Sequence, residues 1–135
     1  MTATLVDSNV LLDVLSGDSA WGEWSSQALA ALASEGPLVI NAVIYAEVSQ
    51  RYSRKELLDH ELPAEVFKRE GIPWSAAFLA GKAFVDCRRR GGSRRSPLPD
   101  FFIGAHAAVE GHRLLTRDAS RYRTYFPRLE LIAPE

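Results

Sequence analysis

The sequence predicts an α/β fold built on a mostly parallel sheet. Short apolar, β-favouring runs alternate along the chain with longer segments whose apolar residues recur at helical spacing, as in βα units. Capping or turn residues separate the two kinds of segment. No internal repeat or linker is visible, so residues 1–135 are expected to form a single domain.

Five runs are predicted to be strands because each is short and bounded by turn or capping residues. They are residues 3–6, 38–40, 66–68, 113–116 and 129–132. The first leads into Asp7, Ser8 and Asn9, which are all residue types that cap helices. The third is cut short by the charged run Lys-Arg-Glu that precedes a glycine.

The helices are predicted from apolar spacing together with start and stop residues. They are residues 10–15, 19–35, 42–52, 53–65, 75–90, 101–110 and 120–125. Gly17, Gly36 and Gly111 end the first, second and sixth of them, and Asn41 caps the third. Residues 91–99, rich in glycine, serine, arginine and proline, are predicted to form a loop.

The composition is that of an ordinary soluble protein, with 47% hydrophobic and 24% charged residues. The single cysteine, Cys87, excludes an internal disulfide and agrees with a reducing compartment. The first residues lack the basic start of a signal peptide, and no apolar run is long enough to span a bilayer. A cytoplasmic protein without membrane contact is therefore expected.

The net charge of −1 conceals an uneven distribution of charge. Residues 1–85 carry 6 basic and 11 acidic side chains, whereas residues 86–128 carry 10 basic and 4 acidic ones. A basic second half is a modest indication of a polyanionic partner. An ordinary solvated surface explains the charge alone equally well.

Four carboxylates fall where one edge of the predicted sheet should be. Asp7 follows the first strand directly, Asp118 follows the fourth by two residues, and Asp100 opens the helix before it. Glu47 lies among apolar neighbours in the helix after the second strand, where a carboxylate is costly unless it is paired or binds a metal. Ligands of parallel sheets bind beyond the carboxyl ends of the strands. No lysine or arginine is obviously placed to neutralise these acids.

This pattern predicts a divalent-metal site and phosphoryl-transfer chemistry. Hard oxygen ligands suit Mg²⁺ or Mn²⁺, and the neighbouring Asn9 and Thr116 can orient a carboxylate or a metal-bound water. Taken singly, Asp7, Asp100 and Asp118 are each interpreted slightly better as a helix cap than as a metal ligand. The joint placement of the four acids favours the metal site.

The sequence lacks the residue patterns of zinc sites, nucleotide-binding phosphate loops and nucleophilic catalysis. His60, His106 and His112 show no zinc-ligand spacing and are interpreted as structural or surface residues. No glycine-rich phosphate loop with its lysine is present, and no serine or cysteine has a recognisable nucleophile setting. Cys87, in the middle of a helix, is interpreted as a small core residue.

Four blocks of sequence together resemble the PIN-domain family, and more narrowly the toxins of VapBC-type toxin–antitoxin modules. They are Leu5-Val6-Asp7-Ser8-Asn9-Val10-Leu11-Leu12, Ala46-Glu47-Val48, Pro99-Asp100-Phe101-Phe102-Ile103-Gly104-Ala105-His106-Ala107 and Leu114-Leu115-Thr116-Arg117-Asp118. The blocks occur in the family's order and cover essentially the whole chain. Ser8 stands where the family more often has threonine, and residues 53–73 match no motif.

The resemblance implies a three-layer α/β/α sandwich and a Mg²⁺- or Mn²⁺-dependent endoribonuclease that hydrolyses RNA phosphodiester bonds. It also implies a cognate VapB-type antitoxin and frequent homodimerisation. By residue, it implies catalytic and metal-binding roles for Asp7, Glu47, Asp100 and Asp118, and accessory roles for Asn9 and Thr116.

An arginine-rich segment just before Asp100 is a candidate grip for RNA phosphates. Its members are Arg88, Arg89, Arg90, Arg94 and Arg95. A solvated loop or an antitoxin contact are the alternatives for this segment. For the whole chain, the alternatives are a nuclease of RNA maturation or DNA processing, a catalytically silent binding scaffold, and a phosphatase or receiver domain with aspartates at its strand ends. The phosphatase and receiver-domain alternatives are disfavoured, because Asp7-Ser8-Asn9 lacks the second aspartate of the phosphatase motif and no suitably placed lysine follows a later strand.

Overall fold

The computed structural model describes residues 2–17, 20–91 and 98–134. Within them, the strands form one five-stranded parallel sheet in the order β3-β2-β1-β4-β5. The strands are β1 (Thr4–Val6), β2 (Leu38–Ile40), β3 (Phe67–Arg69), β4 (Arg113–Leu115) and β5 (Leu131–Ile132). The predicted α/β fold is confirmed, with a sheet that is wholly rather than mostly parallel.

Helices flank this sheet and connect its strands. They are α1 (Ser8–Ser16), α2 (Gly22–Ala33), α3 (Ala42–Ser49), α4 (Lys55–Glu61), α5 (Trp74–Arg89), α6 (Leu98–Glu110) and α7 (Ser120–Tyr125). Gly17 ends α1 in the left-handed conformation, at φ 71°, and Asn41 caps α3 by accepting the Ile44 amide at 2.9 Å, as the sequence predicts. No helix of the described ranges is long and apolar enough to cross a membrane.

The order of the strands fixes where a ligand should bind. The chain begins in the central strand β1, moves outward through β2 to β3, and then returns to place β4 on the other side of β1. The strand order therefore reverses between β1 and β4, which pair in register from Thr4 with Arg113 to Val6 with Leu115. Clefts open beyond the carboxyl ends of strands at such a reversal.

The core lies between the sheet and its helices. All three residues of β1 and of β2 are buried, as expected for strands that are covered on both faces. Phe101 of α6 is fully buried and meets the rings of Phe84, Tyr125 and Phe126 edge-on or tilted, with centroids 5.5–6.5 Å apart. This aromatic cluster joins α5, α6 and the end of α7.

Several predicted helix boundaries are wrong for local reasons. The helix predicted over residues 53–65 covers only Lys55–Glu61, because Pro63 cannot continue it. Helix α3 ends at Ser49, three residues before the predicted end. Helix α6 begins at Leu98, inside the predicted loop, because Pro99 lies in the first turn, where a proline's missing N–H has no helical partner to lose.

A close approach of backbone to aromatic rings sets the position of α7. A Cβ atom built on Gly104 of α6 would lie 2.5 Å from the Phe126 ring and 3.0 Å from the Tyr122 ring. Only glycine allows α6 and α7 to approach so closely at this point. Helix α7 is thereby held against the helix that carries Asp100.

Candidate active site

The four predicted acids, Asp7, Glu47, Asp100 and Asp118, are called the quartet below. Among them, Asp7 accepts the most hydrogen bonds. The residue is 4% exposed, and its Oδ1 accepts the Ser8 amide at 2.8 Å, so that Asp7 caps α1. The other oxygen, Oδ2, accepts the hydroxyls of Thr116 at 2.8 Å and of Tyr122 at 2.9 Å. Both carboxylate oxygens are therefore fixed by groups at the start of α1, directly after β4 and on α7.

Burial makes the charged form of Asp7 costly in spite of these three donors. Desolvation raises the pKa of Asp7 above its usual range, while the bonds from Thr116, Tyr122 and Ser8 oppose the rise. Burial and the negative charge of Asp7 in turn raise the pKa of Tyr122 well above its ordinary value. The phenol therefore stays a hydrogen-bond donor at neutral pH.

Glu47 is joined to the same site through Ser8. The Ser8 hydroxyl donates to Glu47 Oε1 at 2.9 Å, so the hydroxyl that Ser8 shares with threonine has a direct use. Burial raises the pKa of Glu47, and the charge of Asp7 adds to the rise. Helix α3, capped by Asn41 directly after β2, delivers this carboxylate to the sheet edge.

Asp100 lies in the first turn of α6 and forms an ion pair with Arg121 of α7. The expectation that no basic side chain would neutralise the acids is therefore wrong for Asp100. Burial, followed by the charge of Asp7, nevertheless raises the pKa of Asp100 to about 6, because Arg121 offsets only part of the repulsion.

Asp118 is the exposed member of the quartet. Its amide donates to Thr116 Oγ1 at 3.2 Å, and its carboxylate accepts the Ser120 hydroxyl at 3.3 Å. Ala119, not Asp118, stands in the capping position of α7. The helix-cap interpretation therefore holds for Asp7 among the four acids and fails for Asp118.

The structure brings the four predicted acids together. The negative charges of Asp7, Glu47 and Asp118 each raise the pKa of Asp100, which requires all four to share one region. Carboxylate oxygens are the donors that Mg²⁺ and Mn²⁺ prefer, and the repulsion among them is what a divalent cation would relieve. The residues present thus fit a divalent cation.

The two predicted accessory residues bridge the ends of β1 and β4. Asn9 Nδ2 donates to Thr116 Oγ1 at 3.3 Å, and its Oδ1 accepts the Arg117 amide at 3.1 Å. Thr116 is fully buried, and its own hydroxyl donates a hydrogen bond to Asp7 Oδ2. The two side chains therefore orient the segment that carries Asp118.

A neighbouring buried acid, Asp13, was not predicted and completes this bridge. Its Oδ2 accepts Arg117 Nε at 2.8 Å and the Ser25 hydroxyl at 3.1 Å. The Arg117 guanidinium also lies over the Trp21 ring, 5.6 Å from its centroid. Asp13 is 3% exposed, yet its place on α1 gives no sequence signal beyond that of an ordinary helix residue.

Tyr122 and Arg121 were also missed. Both lie in α7, a six-residue helix whose sequence, Ser-Arg-Tyr-Arg-Thr-Tyr, reads as an ordinary surface turn. The signal that could have found them is proximity in sequence to Asp118, because α7 directly follows that strand end. Their partners, Asp7 and Asp100, are too distant in sequence to be assigned without the fold.

A second polar cluster lies away from the quartet and contains two of the three histidines. Glu70 Oε1 contacts His106 Nε2 at 3.1 Å and His112 Nε2 at 2.8 Å. His106 Nδ1 lies 2.9 Å from Asn41 Nδ2. The structural interpretation of His106 and His112 agrees with these contacts, although their meeting at Glu70 was not foreseen.

The hydrogen bonds of Asn41 determine whether this cluster can bind a metal ion. Because Asn41 Oδ1 accepts the Ile44 amide, its Nδ2 must donate to His106 Nδ1, and the proton of His106 then sits on Nε2, facing Glu70. The three potential ligand atoms of Glu70, His106 and His112 lie within 4.8 Å of one another, but this tautomer occupies the nitrogen that a metal would need. We therefore interpret the cluster as a hydrogen-bonded tie.

The predicted arginine segment is only partly described. Arg88, Arg89 and Arg90 are exposed at the end of α5, and Arg94 and Arg95 lie outside the described residues. Arg90 pairs with Asp86 at 3.2 Å, and its guanidinium lies over the Tyr125 ring. Arg88 similarly lies over Phe84.

Comparison with solved structures shows a shared fold at low sequence identity. VapBC2 from Rickettsia felis, bound to a DNA fragment from its promoter, is 17% identical with a TM-score of 0.74, over 98% of this chain and 99% of that chain. VapBC-1 from nontypeable Haemophilus influenzae is 16% identical with a TM-score of 0.73, over 97% of each chain. FitAcB from Neisseria gonorrhoeae is 16% identical with a TM-score of 0.72, over 96% of each chain.

The family comparison is more direct. No curated protein sequence matches the chain. The model of the PIN domain matches residues 4–127, which run from the first residue of β1 to just beyond α7 and include all four acids. That match extends over the greater part of the sequence, and the chain belongs to the PIN-domain family.

Proposed function

We propose that this protein is a metal-dependent endoribonuclease and the toxin component of a type II toxin–antitoxin system. The observation that carries the proposal is the convergence of Asp7, Glu47, Asp100 and Asp118 where the strand order reverses in a PIN fold. Solved structures with the same fold are described as VapBC, FitAB and toxin–antitoxin complexes, which supports the toxin assignment. We further propose that residues 1–135 act as one PIN domain.

The four acids would hold Mg²⁺ or Mn²⁺, with Asp7 and Asp100 as the strongest candidates for direct ligands. When bound, the ion would lower the pKa of a water and offset the charge that develops on the RNA phosphate. The raised pKa values of Asp7, Glu47 and Asp100 support this assignment, because the ionised forms of all three need a positive partner.

The chain's own residues orient these ligands. Ser8, Thr116 and Tyr122 fix both oxygens of Asp7, so this acid forms the rigid floor of the site. Glu47 is held through one oxygen by Ser8, and Asp118 lies exposed at the rim. This gradient from buried to exposed carboxylates leaves the RNA backbone one open side from which to approach.

RNA is the proposed substrate because the basic second half of the chain, with Arg88 to Arg90 and Arg94 to Arg95, can contact a polyanion. The proposed protein partner is a VapB-type antitoxin, and a homodimer is the proposed assembly. A structurally similar toxin–antitoxin complex from Klebsiella pneumoniae supports the antitoxin partner.

The test is cleavage of a mixed tRNA and ribosomal RNA pool by purified protein, with Mg²⁺ or Mn²⁺ against EDTA. Asp7→Asn and Glu47→Gln should abolish discrete, metal-dependent fragments that carry 5′-phosphates. Glu23→Gln, which neutralises an exposed acid on α2, is the matched control and should cleave normally. Products ending in a 2′,3′-cyclic phosphate would contradict the metal-dependent route.

Loss of both cleavage and any metal-induced rise in Tm would instead favour a silent binding scaffold. Metal bound only by the folded state should stabilise it by about 2.7 kcal/mol at a hundredfold excess over Kd. Growth arrest on expression of the chain alone, relieved by co-expression of an antitoxin, tests the toxin role separately from the chemistry.

A further inference from the structure

We propose that Arg121 is a catalytic, phosphate-binding residue: its guanidinium pairs with Asp100, and it would pass to the RNA phosphate when Asp100 binds a cation. The inference rests on the proposed nuclease function and deepens it by naming the group that contacts the substrate. It begins from the ion pair between Arg121 Nη1 and Asp100 Oδ2.

The position of Arg121 is fixed by its neighbour in α7. Tyr122 is 2% exposed and anchors the helix to Asp7 through its hydroxyl, and Arg121, the residue before it, pairs with Asp100. The side chains of Arg121 and Asp100 are each 25% exposed. The guanidinium therefore lies at the border between the buried acids and solvent, where a substrate would arrive.

The negative charge of the site favours a basic side chain at the place where a phosphate would bind. Four carboxylates converge there, and Arg121 is the only basic side chain of the described ranges that forms an ion pair with any of them. A phosphodiester brings a further negative charge into this region. A guanidinium can donate to two phosphate oxygens at once, which makes arginine suited to holding a phosphate in one orientation.

Neighbouring arginines are engaged elsewhere. Arg117 is bound to Asp13 and lies over Trp21, so its guanidinium already has two partners outside the four acids. Arg90 is bound to Asp86. Arg121 differs from both because its partner, Asp100, is itself a proposed metal ligand and must be released for that role.

Asp100 Oδ2 cannot form its ion pair with the Arg121 guanidinium and fully coordinate a divalent cation at the same time. Removal of Arg121 should therefore ease cation binding while impairing the reaction. A purely structural ion pair would give a different pattern, in which stability and cation binding fall together.

The experiment compares Arg121→Gln and Arg121→Lys with Arg123→Gln, an exposed arginine of the same helix. The Mn²⁺ affinity of RNA-free protein is followed by electron paramagnetic resonance, and kcat and KM are measured on a cleaved RNA. Arg121→Gln should bind Mn²⁺ about fivefold more tightly, as expected for loss of a partly exposed ion pair worth about 1 kcal/mol. Its kcat should fall about 100-fold, as for removal of one donor to a developing oxyanion.

Binding of a non-cleavable phosphorothioate RNA supplies the third readout. The slope of log affinity against log salt should fall by about 1 in Arg121→Gln, as for one lost phosphate contact. Arg121→Lys should recover part of kcat, and Arg123→Gln should match wild type in Mn²⁺ affinity and kcat. Circular dichroism confirms that each variant is folded before these comparisons.

Two results would overturn the inference. Wild-type cleavage by Arg121→Gln would show that Arg121 does not hold the phosphate, and an unchanged Mn²⁺ affinity would show that it does not restrain Asp100. Failure of the nuclease proposal itself is distinguishable, because the wild-type protein would then cleave no RNA, whereas the Mn²⁺ titration remains informative.

Discussion

Asp7 combines two roles that its place at the end of β1 makes compatible. One oxygen caps α1, and the other receives the hydroxyls of Thr116 and Tyr122. A capping aspartate normally faces water, whereas this one is buried. The hydrogen bonds thus restrain the acid at the floor of the site in one rotamer and partly offset the cost of burying its charge.

Removal of the Tyr122 hydroxyl tests this restraint. Tyr122→Phe should raise the pKa of Asp7 further, weaken Mn²⁺ binding, and cost about 1 kcal/mol of unfolding free energy. Mn²⁺ titration measures the weaker binding, and urea denaturation measures the loss of unfolding free energy. Tyr45→Phe is the matched control, because its hydroxyl bonds Asp59 outside the quartet, and it should leave Mn²⁺ affinity unchanged. Equal Mn²⁺ affinity in both variants would show that Tyr122 does not position Asp7.

Asp100 gives the metal-free protein an unusual dependence on pH. The pKa of Asp100 is about 6 in the folded state and about 3.9 in the unfolded state. Its stabilising contribution to the free energy of unfolding is therefore fully present below pH 4 and is lost as the pH rises through 6. Asp100→Asn should remove this loss and make the metal-free protein more stable at pH 7, by at most about 3 kcal/mol.

Denaturation in EDTA at pH 4.5 and pH 7 measures that difference. Asp86→Asn, which removes a carboxylate from the surface of α5, should keep the wild-type profile. A stability of Asp100→Asn below that of wild type at pH 7 would mean that the ion pair with Arg121 outweighs the repulsion among the acids.

At the scale of elements, the bond between Asn41 and His106 ties together the helices that carry Glu47 and Asp100. Asn41 caps α3, and His106 lies six residues beyond Asp100 on α6. Glu70 extends the tie to the end of β3, where its amide also donates to Ile40. The relative placement of two proposed ligands is therefore set by a cluster that contacts neither.

Burial lowers the pKa of His106, so the folded state favours its neutral form. Its contribution to stability is present above the unfolded value of about 6.5 and is lost as pH falls through the lower folded value. His106→Gln should cost about 2 kcal/mol at pH 7.5, because it leaves buried partners unpaired. The variant should also lose less stability than wild type between pH 7.5 and pH 5. Exposed His60→Gln should change neither quantity in urea denaturation.

The contact between α6 and α7 depends on Gly104. Gly104→Ala would drive a methyl group into the Phe126 ring, and we expect a loss of about 1–3 kcal/mol together with a shift of α7. Because α7 carries Arg121 and Tyr122, RNA cleavage should fall more than stability alone explains. Gly81→Ala, with open space around its Cβ on exposed α5, should instead stabilise by up to about 1 kcal/mol. Thermal denaturation and initial rates separate the two cases.

At the scale of the whole molecule, the strand ends were the predictable part of the site. Asp7 and Asp118 follow strands whose apolar runs are visible in the sequence, so a parallel sheet was enough to place them on one edge. The partners of these acids were not predictable in the same way. Arg121, Tyr122 and the meeting of His106 with Glu70 depend on how helices pack over the sheet, and periodicity carries no information about such pairings.

The span of chain that the site brings together has a consequence for synthesis. Asp7 lies 109 residues before Thr116 and 115 residues before Tyr122, and β1 waits for β4 to cover one of its sides. A growing chain therefore emerges from the ribosome with Asp7 already made, but without the two hydroxyls that hold its Oδ2. The proposed RNA cleavage therefore cannot begin until α7 has been made, so the RNA that encodes the protein and the ribosome that builds it are not exposed to it for most of translation.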